Sequence, residues 1–269
     1  MSDLHYEVHP GSGPALLLVH GFLSSRAQWR LNLKALGEFC RPVVVELWGH
    51  GRSPHPGNTL AFAPESYLEQ FEKIRQAVGA ESWLVCGQSL GASLTLRYSL
   101  EFPERVIAQV FTNSNSAMST EEQTRQRWVD AKEAIEAIER DGLVAVEALR
   151  VHPRHAKRLP EAVHEELLED AALMIPAAIA DSYRYLNPVS SVRARAAEIS
   201  VPTLLAFGHY EKRFHAAKDY AVETIPGLEL VELEAGHAVN IQDADGFNQQ
   251  ARTFFERYLA EHHQASANP

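Results

Sequence analysis

The sequence predicts an α/β protein in which a mostly parallel central sheet is flanked by helices and carries an inserted helical cap. An unbroken apolar run such as 15–19 is typical of a strand that is covered on both faces, as in a parallel sheet, and 43–47 indicates the next buried strand. These runs alternate with amphipathic helical patterns, which is the order that a parallel sheet requires. The alternation stops at about residue 113 and resumes near residue 200, with only helical patterns between.

This interruption sets the expected domain boundaries. We expect 1–112 and 200–269 to form the α/β core and 113–199 to form the helical cap. No internal repeat or low-complexity segment stands out.

Each element has its own signal in the sequence. Apolar runs predict the strands, of which the first alternates only weakly and is expected at an edge. The expected strands are 4–9, 15–19, 43–47, 83–86, 105–111, 201–207 and 228–233. Apolar residues at helical spacing predict the helices, and Ser119 with Glu122 indicates a capping box at the start of one. The expected helices are 31–36, 67–78, a helix from 90 onward, 119–140, 143–151, 161–175, 177–186 and 244–258, followed by a frayed polar tail.

The composition is that of a soluble globular protein, with 45% hydrophobic and 22% charged residues. The chain has 25 Lys and Arg against 35 Asp and Glu, a formal net charge of -10, and no basic run. Because an acidic surface repels polyphosphate, neither nucleic acid nor an anionic membrane is expected as a partner.

The cellular setting is expected to be the cytoplasm. The N-terminal residues show no signal-peptide pattern, and no apolar run approaches the roughly 20 residues that a bilayer crossing needs. The two cysteines, Cys40 and Cys86, suit a reducing compartment. The 13 histidines show no convincing ligand spacing, so neither a metal nor another cofactor is expected.

The stretch Gly87-Gln88-Ser89-Leu90-Gly91 joins an apolar strand pattern to a helical pattern. This order indicates a strand, a sharp turn and a helix, with the Ser89 hydroxyl exposed at the helix N-terminus. Glycines two residues before and after Ser89 let the helix start pass close to the strand end. The Leu90 amide, in the first helical turn, is then able to face a developing oxyanion. The five-residue pattern is common by chance, so its context decides its meaning.

Chemically suggestive residues follow four other predicted strands. In an open parallel sheet, ligands bind beyond the carboxyl ends of the strands, so these residues are expected to converge with Ser89. They are His20-Gly21-Phe22, Gly49-His50-Gly51-Arg52-Ser53, Gly208-His209-Tyr210-Glu211 and Ala235-Gly236-His237.

With these motifs, nearly the whole chain resembles the α/β-hydrolase family. The family's order of nucleophile, acid and histidine matches Ser89, Glu211 and His237. A serine hydroxyl needs an adjacent base at neutral pH, and the base needs an acceptor that fixes its tautomer. The resemblance implies that Ser89, His237 and Glu211 are the catalytic residues, with the Phe22 and Leu90 amides as the oxyanion hole.

The identity of the acid is left open between three carboxylates. The family usually has Asp where this chain has Glu211, and Asp219 and Asp243 are the alternatives. The second position at which an acid occurs in such folds, after the strand 105–111, holds Asn113-Ser114-Asn115 and offers no carboxylate.

Three residues are candidates for the substrate pocket: Gln88, Trp48 and Trp128. Gln88 directly precedes the candidate nucleophile. Trp48 points roughly toward the pocket from the start of a Gly-rich loop, although a core position is equally compatible with the sequence. Trp128 lies on the first predicted cap helix, where packing within the cap is the alternative. His20 is expected to be structural.

The chain also resembles the menaquinone-pathway synthase branch of the family, whose members eliminate pyruvate and hold an anionic substrate with arginines. The resemblance lies in 208–214, 123–129 and 235–237. The chain departs from that branch at Ser93, where the branch has an arginine, and at Gln88, which replaces a tyrosine.

Arg125 or Arg127 matches a second arginine of that branch, and a third has no clear counterpart. We therefore expect a serine hydrolase that cleaves a carboxylic ester or a related acyl compound through an acyl-enzyme. The alternatives are a lyase that eliminates pyruvate, a carbon–carbon bond hydrolase with the same triad, and a non-enzymatic ligand sensor. Dehalogenases and epoxide hydrolases of this fold carry Asp in place of Ser89. The expected partner is a small-molecule ester or acyl substrate, bound by a monomer or homodimer.

Overall fold

The computed structural model describes residues 2–156 and 158–267, in which seven strands form one sheet. The strands are β1 (Tyr6–Val8), β2 (Ala15–Val19), β3 (Arg41–Val45), β4 (Trp83–Gly87), β5 (Val106–Thr112), β6 (Thr203–Gly208) and β7 (Glu229–Leu233). Their order across the sheet is β1-β3-β2-β4-β5-β6-β7. β1 runs antiparallel to β3, and all other neighbouring strands pair in parallel. The predicted α/β sheet is therefore confirmed.

Helices connect the strands and cover the sheet. The α-helices are α1 (Leu33–Leu36), α2 (Pro64–Ala77), α3 (Leu90–Glu101), α4 (Glu121–Asp141), α5 (Leu143–Ala148), α6 (Glu161–Ala171), α7 (Pro176–Asp181), α8 (His215–Thr224), α9 (Val239–Gln242) and α10 (Ala244–Ala267). A π-helical stretch, Ser182–Leu186, continues α7, and short 3₁₀ turns complete the connections. Within the described ranges, no helix has both the length and the apolar character that a membrane crossing requires.

The strand runs are unbroken because both faces of the sheet are buried. In β2, Leu17 and Val19 belong to the apolar cluster on the face that α2 and α3 cover. Leu16 and Leu18 belong to a second cluster on the opposite face, which α10 covers. Apolar side chains at every position therefore lose water contact, which accounts for a continuous run instead of an alternating one.

The described chain between β5 and β6 contains helices and connecting turns but no strand. Its helices enclose a separate apolar cluster, which Leu23 of the core joins. The buried members from α4 to α7 are Ala131, Ile135, Ile138, Ala145, Val146, Ala171, Ile179 and Ala180. A fourth cluster joins Val163 and Leu167 of α6 to Ala27 and Ile241. These two clusters hold the inserted helices against the core.

A network of charges also fastens α6 to the core. The Asp170 carboxylate accepts hydrogen bonds from the Ser25 hydroxyl at 2.7 Å and from Arg52 at 2.8 Å. Arg26 forms an ion pair with Glu166 at 3.0 Å. Because the Asp170 side chain is almost completely buried, removing its partners would leave an uncompensated charge, at a cost of about 3–5 kcal/mol.

The turn after β4 is held in an unusual conformation by close packing. Ser89 has φ 53° and ψ -114°, which costs on the order of 1–3 kcal/mol for a residue with a side chain. A Cβ on Gly91 would lie 2.2 Å from the Val19 carbonyl oxygen, and a Cβ on Gly87 would lie 2.6 Å from the Ala92 Cα. Only glycine at both positions lets α3 start this close to the strands, as the sequence predicts.

The start of α4 differs by one residue from the prediction. Its N-cap is Thr120, which forms a capping box with Gln123. Ser119, the predicted cap, donates its hydroxyl to the Asn115 carbonyl instead. The predicted pair of Ser119 and Glu122 is therefore wrong, because two neighbouring residues have equal capping chemistry and the turn before α4 engages the Ser119 hydroxyl.

Several other helix bounds differ from the prediction, among them the C-terminal ends of α6 and α10. α6 ends at Ala171, short of the predicted residue 175. Ile175 is extended because it precedes Pro176, and a residue before proline is disfavoured in a helix. The last helix continues to Ala267, so the tail after residue 258 is helical where fraying is expected from the sequence.

The close packing at the turn after β4 predicts that one added methyl group strongly destabilises the fold. Gly91→Ala is expected to lower the free energy of unfolding by about 3 kcal/mol or more, because the new Cβ overlaps the Val19 carbonyl. Gly57→Ala is the control: Gly57 has φ 88° but no atom within 4 Å of a new Cβ, so about 1–2 kcal/mol is expected. Urea denaturation measures both, and equal losses would contradict the packing argument.

Candidate active site

The carboxyl ends of β6 and β7 bring a carboxylate and a histidine into contact. Glu211 follows β6, and His237 lies in the loop after β7. The Nδ1–H of His237 donates to Oε2 of Glu211 at 2.9 Å. The Glu211 side chain is 17% exposed and that of His237 is 47% exposed. The carboxylate is therefore shielded behind the ring, and the ring reaches the open space above the sheet.

The two alternative acids lie elsewhere. Asp219 forms an ion pair with Lys218 on α8. Asp243 accepts hydrogen bonds from the amides of Glu234 and Gly246, at 3.3 and 3.1 Å. Neither carboxylate has a hydrogen bond or ion pair with the histidine in the described part of the chain.

Ser89 and His237 line one cavity of about 390 Å³. The cavity lies between the carboxyl ends of the strands and the inserted helices. Its apolar wall is formed by Phe22, Leu90, Trp128, Ala131, Ala134, Val151, Tyr183 and Pro188. The Phe22 ring packs edge-on against Tyr183 at a centroid distance of 4.8 Å, which closes the wall next to Ser89.

A second cavity, of about 500 Å³, opens on the other side of the same two residues. Four residues line both cavities: Phe22, Ser89, Val151 and His237. The second cavity extends toward α6 and α9, where Leu167 is part of its wall. Ser89 and His237 therefore stand where two cavities meet.

Two residues that line the first cavity with Ser89 have backbone amides without an acceptor in the described part of the chain. Leu90 is the first residue of α3, so its N–H has no acceptor within the helix. Phe22 lies in the turn after β2, and its amide has no acceptor among the described residues. Both residues line the first cavity. Two free donors beside a hydroxyl are the arrangement that an oxyanion requires.

Two buried histidines hold the turn that carries Phe22. Nε2 of His20 accepts a hydrogen bond from the Leu47 amide at 3.0 Å, and its Nδ1 donates to the Gly21 carbonyl at 2.7 Å. Nε2 of His50 accepts from the Leu23 amide at 3.1 Å, and its Nδ1 donates to a backbone carbonyl. Each ring thus bonds through one protonated and one unprotonated nitrogen, which fixes a neutral tautomer. The expected structural role of His20 agrees with these contacts.

The environment keeps both of these rings neutral. Burial lowers the pKa of His20 from 6.5 to about 3 and the pKa of His50 to about 4. The cost of moving a charged imidazolium out of water is the main cause in both cases.

Sequence reasoning missed the residues around the acid. Asn113 Nδ2 donates to Oε2 of Glu211 at 2.9 Å, and Asn115 Nδ2 donates to Oε1 at 3.2 Å. Ser114, between them, donates to the Ser89 carbonyl at 2.6 Å. The sequence places these residues after a strand end, but their partners depend on the alignment of β5 with β6, which no local pattern encodes.

The candidate pocket residues have three different positions. Trp128 lines the first cavity, and Gln88 lines the second. Trp48 is outside both: it is fully buried, and its ring packs against Tyr67 at 4.5 Å and Phe62 at 6.3 Å. The structure therefore corrects the pocket position of Trp48, because aromatic residues of α2 and the preceding turn enclose the indole in the core.

The walls of the two cavities contain a few charged side chains, among them Arg158 in the second. Arg127 and Asp130 both line the first cavity, but no ion pair joins Arg127 to a carboxylate within the described residues. Ser93, where the synthase branch has an arginine, is buried and donates to the Ser116 hydroxyl at 2.9 Å. No three His, Cys, Asp or Glu side chains of the described chain are grouped as metal ligands would be.

A family model described as the alpha/beta hydrolase fold matches residues 14–244 of the chain. This range holds all the strands except β1 and contains every group of the candidate site.

Individual relatives and structures agree with that match. The chain is 25% identical over 240 residues to a Bacillus subtilis (strain 168) protein provisionally named 2-succinyl-6-hydroxy-2,4-cyclohexadiene-1-carboxylate synthase, covering 87% of each chain. It is 24% identical over 255 residues to the carboxylesterase YbfK of the same organism, covering 91% of this chain and 81% of that protein. The solved structure of MenH from S. aureus superposes with a TM-score of 0.82 at 18% identity, covering 95% of this chain and 99% of that one.

The buried histidines predict that the fold weakens on acidification. Between pH 6.5 and about 4 the unfolded chain binds a proton at His50 that the folded chain excludes, so stability falls as pH falls. The contribution is up to about 1.4 kcal/mol per pH unit. His50→Gln removes it, so urea denaturation at pH 7, 6 and 5 is expected to give a shallower pH dependence than wild type. Identical pH dependences would contradict the neutral, buried assignment.

Proposed function

Because the chain belongs to the α/β-hydrolase family, we propose that it is a serine hydrolase that cleaves a carboxylic ester or a related acyl compound through an acyl-enzyme. One observation carries the proposal. His237 is hydrogen-bonded to Glu211 on one side and shares the wall of a cavity with the strained Ser89 on the other. A nucleophile, a base and an acid held in this order form the arrangement that acyl transfer needs.

In the proposed first step, Oγ of Ser89 attacks the carbonyl carbon of the substrate. A C–O bond forms, the carbonyl π electrons move to the oxygen, and the hydroxyl proton passes to Nε2 of His237. The Nδ1–H bond to Glu211 fixes the tautomer that leaves Nε2 free as a base and stabilises the imidazolium that results.

The amides of Phe22 and Leu90 are the proposed donors to the oxyanion. Each such donor contributes on the order of 3 kcal/mol in the transition state. His20 and His50 hold the Phe22 turn through backbone hydrogen bonds, so the first donor is fixed before substrate arrives. The start of α3 fixes the second donor.

The tetrahedral intermediate then collapses. The bond to the leaving alcohol breaks, and His237 returns its proton to the alcohol oxygen. A water molecule, deprotonated by His237, attacks the acyl-enzyme and releases the carboxylic acid and the free Ser89 hydroxyl. The cycle is balanced without a cofactor, since its net reaction is ester plus water to acid plus alcohol.

The two cavities support a substrate with a substantial group on each side of the ester. One of about 390 Å³ and one of about 500 Å³ meet at Ser89, with Val151 in the wall of both. The aromatic rings of Phe22, Trp128 and Tyr183 suit an apolar or aryl group in the first. We infer that the helical segment 113–199 acts as the cap that shapes both.

A lyase that eliminates pyruvate is the second candidate. Arg127, which has no ion pair in the described part of the chain and lies in the wall of the first cavity, favours it, as does the synthase-named relative. Arg158 lines the second cavity, but this chain has no charge at the two positions where the synthase branch has an arginine and a tyrosine: Ser93 is buried against a hydroxyl, and Gln88 donates to the His237 carbonyl. A dianionic substrate would therefore have fewer charge-assisted contacts than in that branch, and each such contact is stronger than a neutral hydrogen bond. Hydrolysis is therefore preferred.

The nucleophile assignment predicts the behaviour of Ser89→Ala. We expect kcat on p-nitrophenyl esters to fall at least about 10⁴-fold, since the attacking atom is lost. The fold is expected to persist because alanine keeps the Cβ at the strained position. A fluorophosphonate is expected to add one adduct to the wild type and none to this variant, as intact mass measures.

Ser99→Ala is the matched control for that variant. Ser99 is a buried serine of α3 whose hydroxyl only bonds the Leu96 carbonyl. The control is expected to keep wild-type turnover and labelling. Unchanged turnover in Ser89→Ala would contradict the proposal. Labelling without ester turnover, together with pyruvate release from the substrate of the named synthase, would establish the lyase instead.

A further inference from the structure

We propose that Asn113 and Asn115 are positioning residues that clamp both oxygens of the Glu211 carboxylate and so aim it at His237. The inference rests on the proposed hydrolase function, because it assigns Glu211 as the acid of that triad. Both amide groups donate to the carboxylate, one to each oxygen, at 2.9 Å and 3.2 Å. We call these two residues the amide clamp.

The orientation of the Asn113 amide is fixed by the backbone of β6. Its Oδ1 accepts a hydrogen bond from the Gly208 amide at 3.0 Å, and its Nδ2 donates to the Gly208 carbonyl at 2.9 Å. A flipped amide would set a donor against the Gly208 N–H and an oxygen against the Glu211 carboxylate. The nitrogen must therefore face Glu211.

Because Asn113 is buried, loss of its hydrogen bond to Glu211 is expected to be unfavourable. Asn113 is completely buried, and it lines neither of the two cavities at Ser89. It touches Glu211 from behind, on the same Oε2 atom that accepts the His237 ring proton. An effect of Asn113 on catalysis must therefore pass through the carboxylate and not through contact with substrate.

The chemistry of the clamp explains why both residues are amides. An ionised carboxylate accepts hydrogen bonds only, so a neutral donor holds it without competing for its charge. An arginine or lysine in the same place would pair with Glu211 and weaken its attraction for the imidazolium. With one donor on each oxygen, the carboxylate cannot rotate away from the ring.

The first test is the kinetic effect of Asn113→Asp. Aspartate is isosteric and keeps the acceptor for the Gly208 amide, but it sets a carboxylate oxygen against Glu211 and against the Gly208 carbonyl. We expect kcat for ester hydrolysis to fall about 10- to 100-fold, the factor that one charge-assisted hydrogen bond represents. KM is expected to stay within about twofold, because Asn113 does not line the cavities. Asn115→Ala is expected to lower kcat less, since one donor to the other oxygen is lost. Because Asn115 lines the first cavity, the KM criterion applies to Asn113 alone.

The second test exchanges the amide of Asn113 and the carboxylate of Glu211. In Asn113→Asp combined with Glu211→Gln, a carboxylate and an amide again face each other with their positions reversed. Asn113→Asp is therefore expected to lower the melting temperature less in the Glu211→Gln background than in the wild-type background. This double-mutant cycle isolates the contact between the two side chains.

Thr112→Val is the control for changes next to the clamp. Thr112 is the last residue of β5, fully buried, and its hydroxyl has no hydrogen-bond partner in the described ranges. This variant is expected to keep wild-type kcat and KM.

Two results would overturn the clamp. One is a folded Asn113→Asp whose kcat lies within twofold of wild type. The other is an equal loss of melting temperature in both backgrounds. Failure of the proposed function gives a different result. If the wild type hydrolyses no ester but the double-mutant cycle still shows coupling between residues 113 and 211, the hydrolase proposal is refuted and the amide clamp is retained.

Discussion

Two glycines allow α3 to begin within van der Waals contact of β2 and β4, and the rest of the site depends on that close approach. A methyl group at Gly91 or Gly87 would overlap backbone atoms. The approach forces Ser89 into its positive φ and leaves the Leu90 amide at the free end of the helix. The same constraint therefore sets the position of the proposed nucleophile and of one oxyanion donor. The Ser114 hydroxyl, which donates to the Ser89 carbonyl, holds the strained turn from the side of β5.

The site combines one largely shielded carboxylate with neutral donors. Glu211 meets two amides and the His237 ring, and burial keeps His20 and His50 neutral behind the Phe22 turn. Fixed dipoles of this kind stabilise developing charge without having to reorganise during the reaction. The buried ion pair of Asp170 lies instead at the junction of α6 with the core, and α6 contributes Leu167 to the wall of the second cavity.

The sequence predicted what depends on local pattern and missed what depends on register. Continuous apolar runs are sufficient to identify strands covered on both faces, and the spacing of Gly87, Ser89 and Gly91 is sufficient to predict the sharp turn. The amide clamp could not be predicted, because Asn113 meets Glu211 only when Thr112 of β5 pairs with Ala206 of β6. The predicted pocket position of Trp48 is wrong for a related reason. Phe62 and Tyr67 pack against its ring and bury it in the core, and these contacts form only in the folded chain. The choice of Thr120 over Ser119 as the N-cap follows from the turn before α4, where the Ser119 hydroxyl donates to the Asn115 carbonyl.

The measurement that tests the proposed acyl-enzyme most directly is the partition of products between water and added methanol. Two esters of one carboxylic acid with different leaving groups, p-nitrophenol and phenol, would be supplied to the wild-type protein. If Ser89 carries the acyl group, both esters pass through the same intermediate, so the ratio of acid to methyl ester is expected to be identical. A ratio that changes with the leaving group, or no methyl ester at any methanol concentration, would contradict the covalent mechanism and favour direct attack by water.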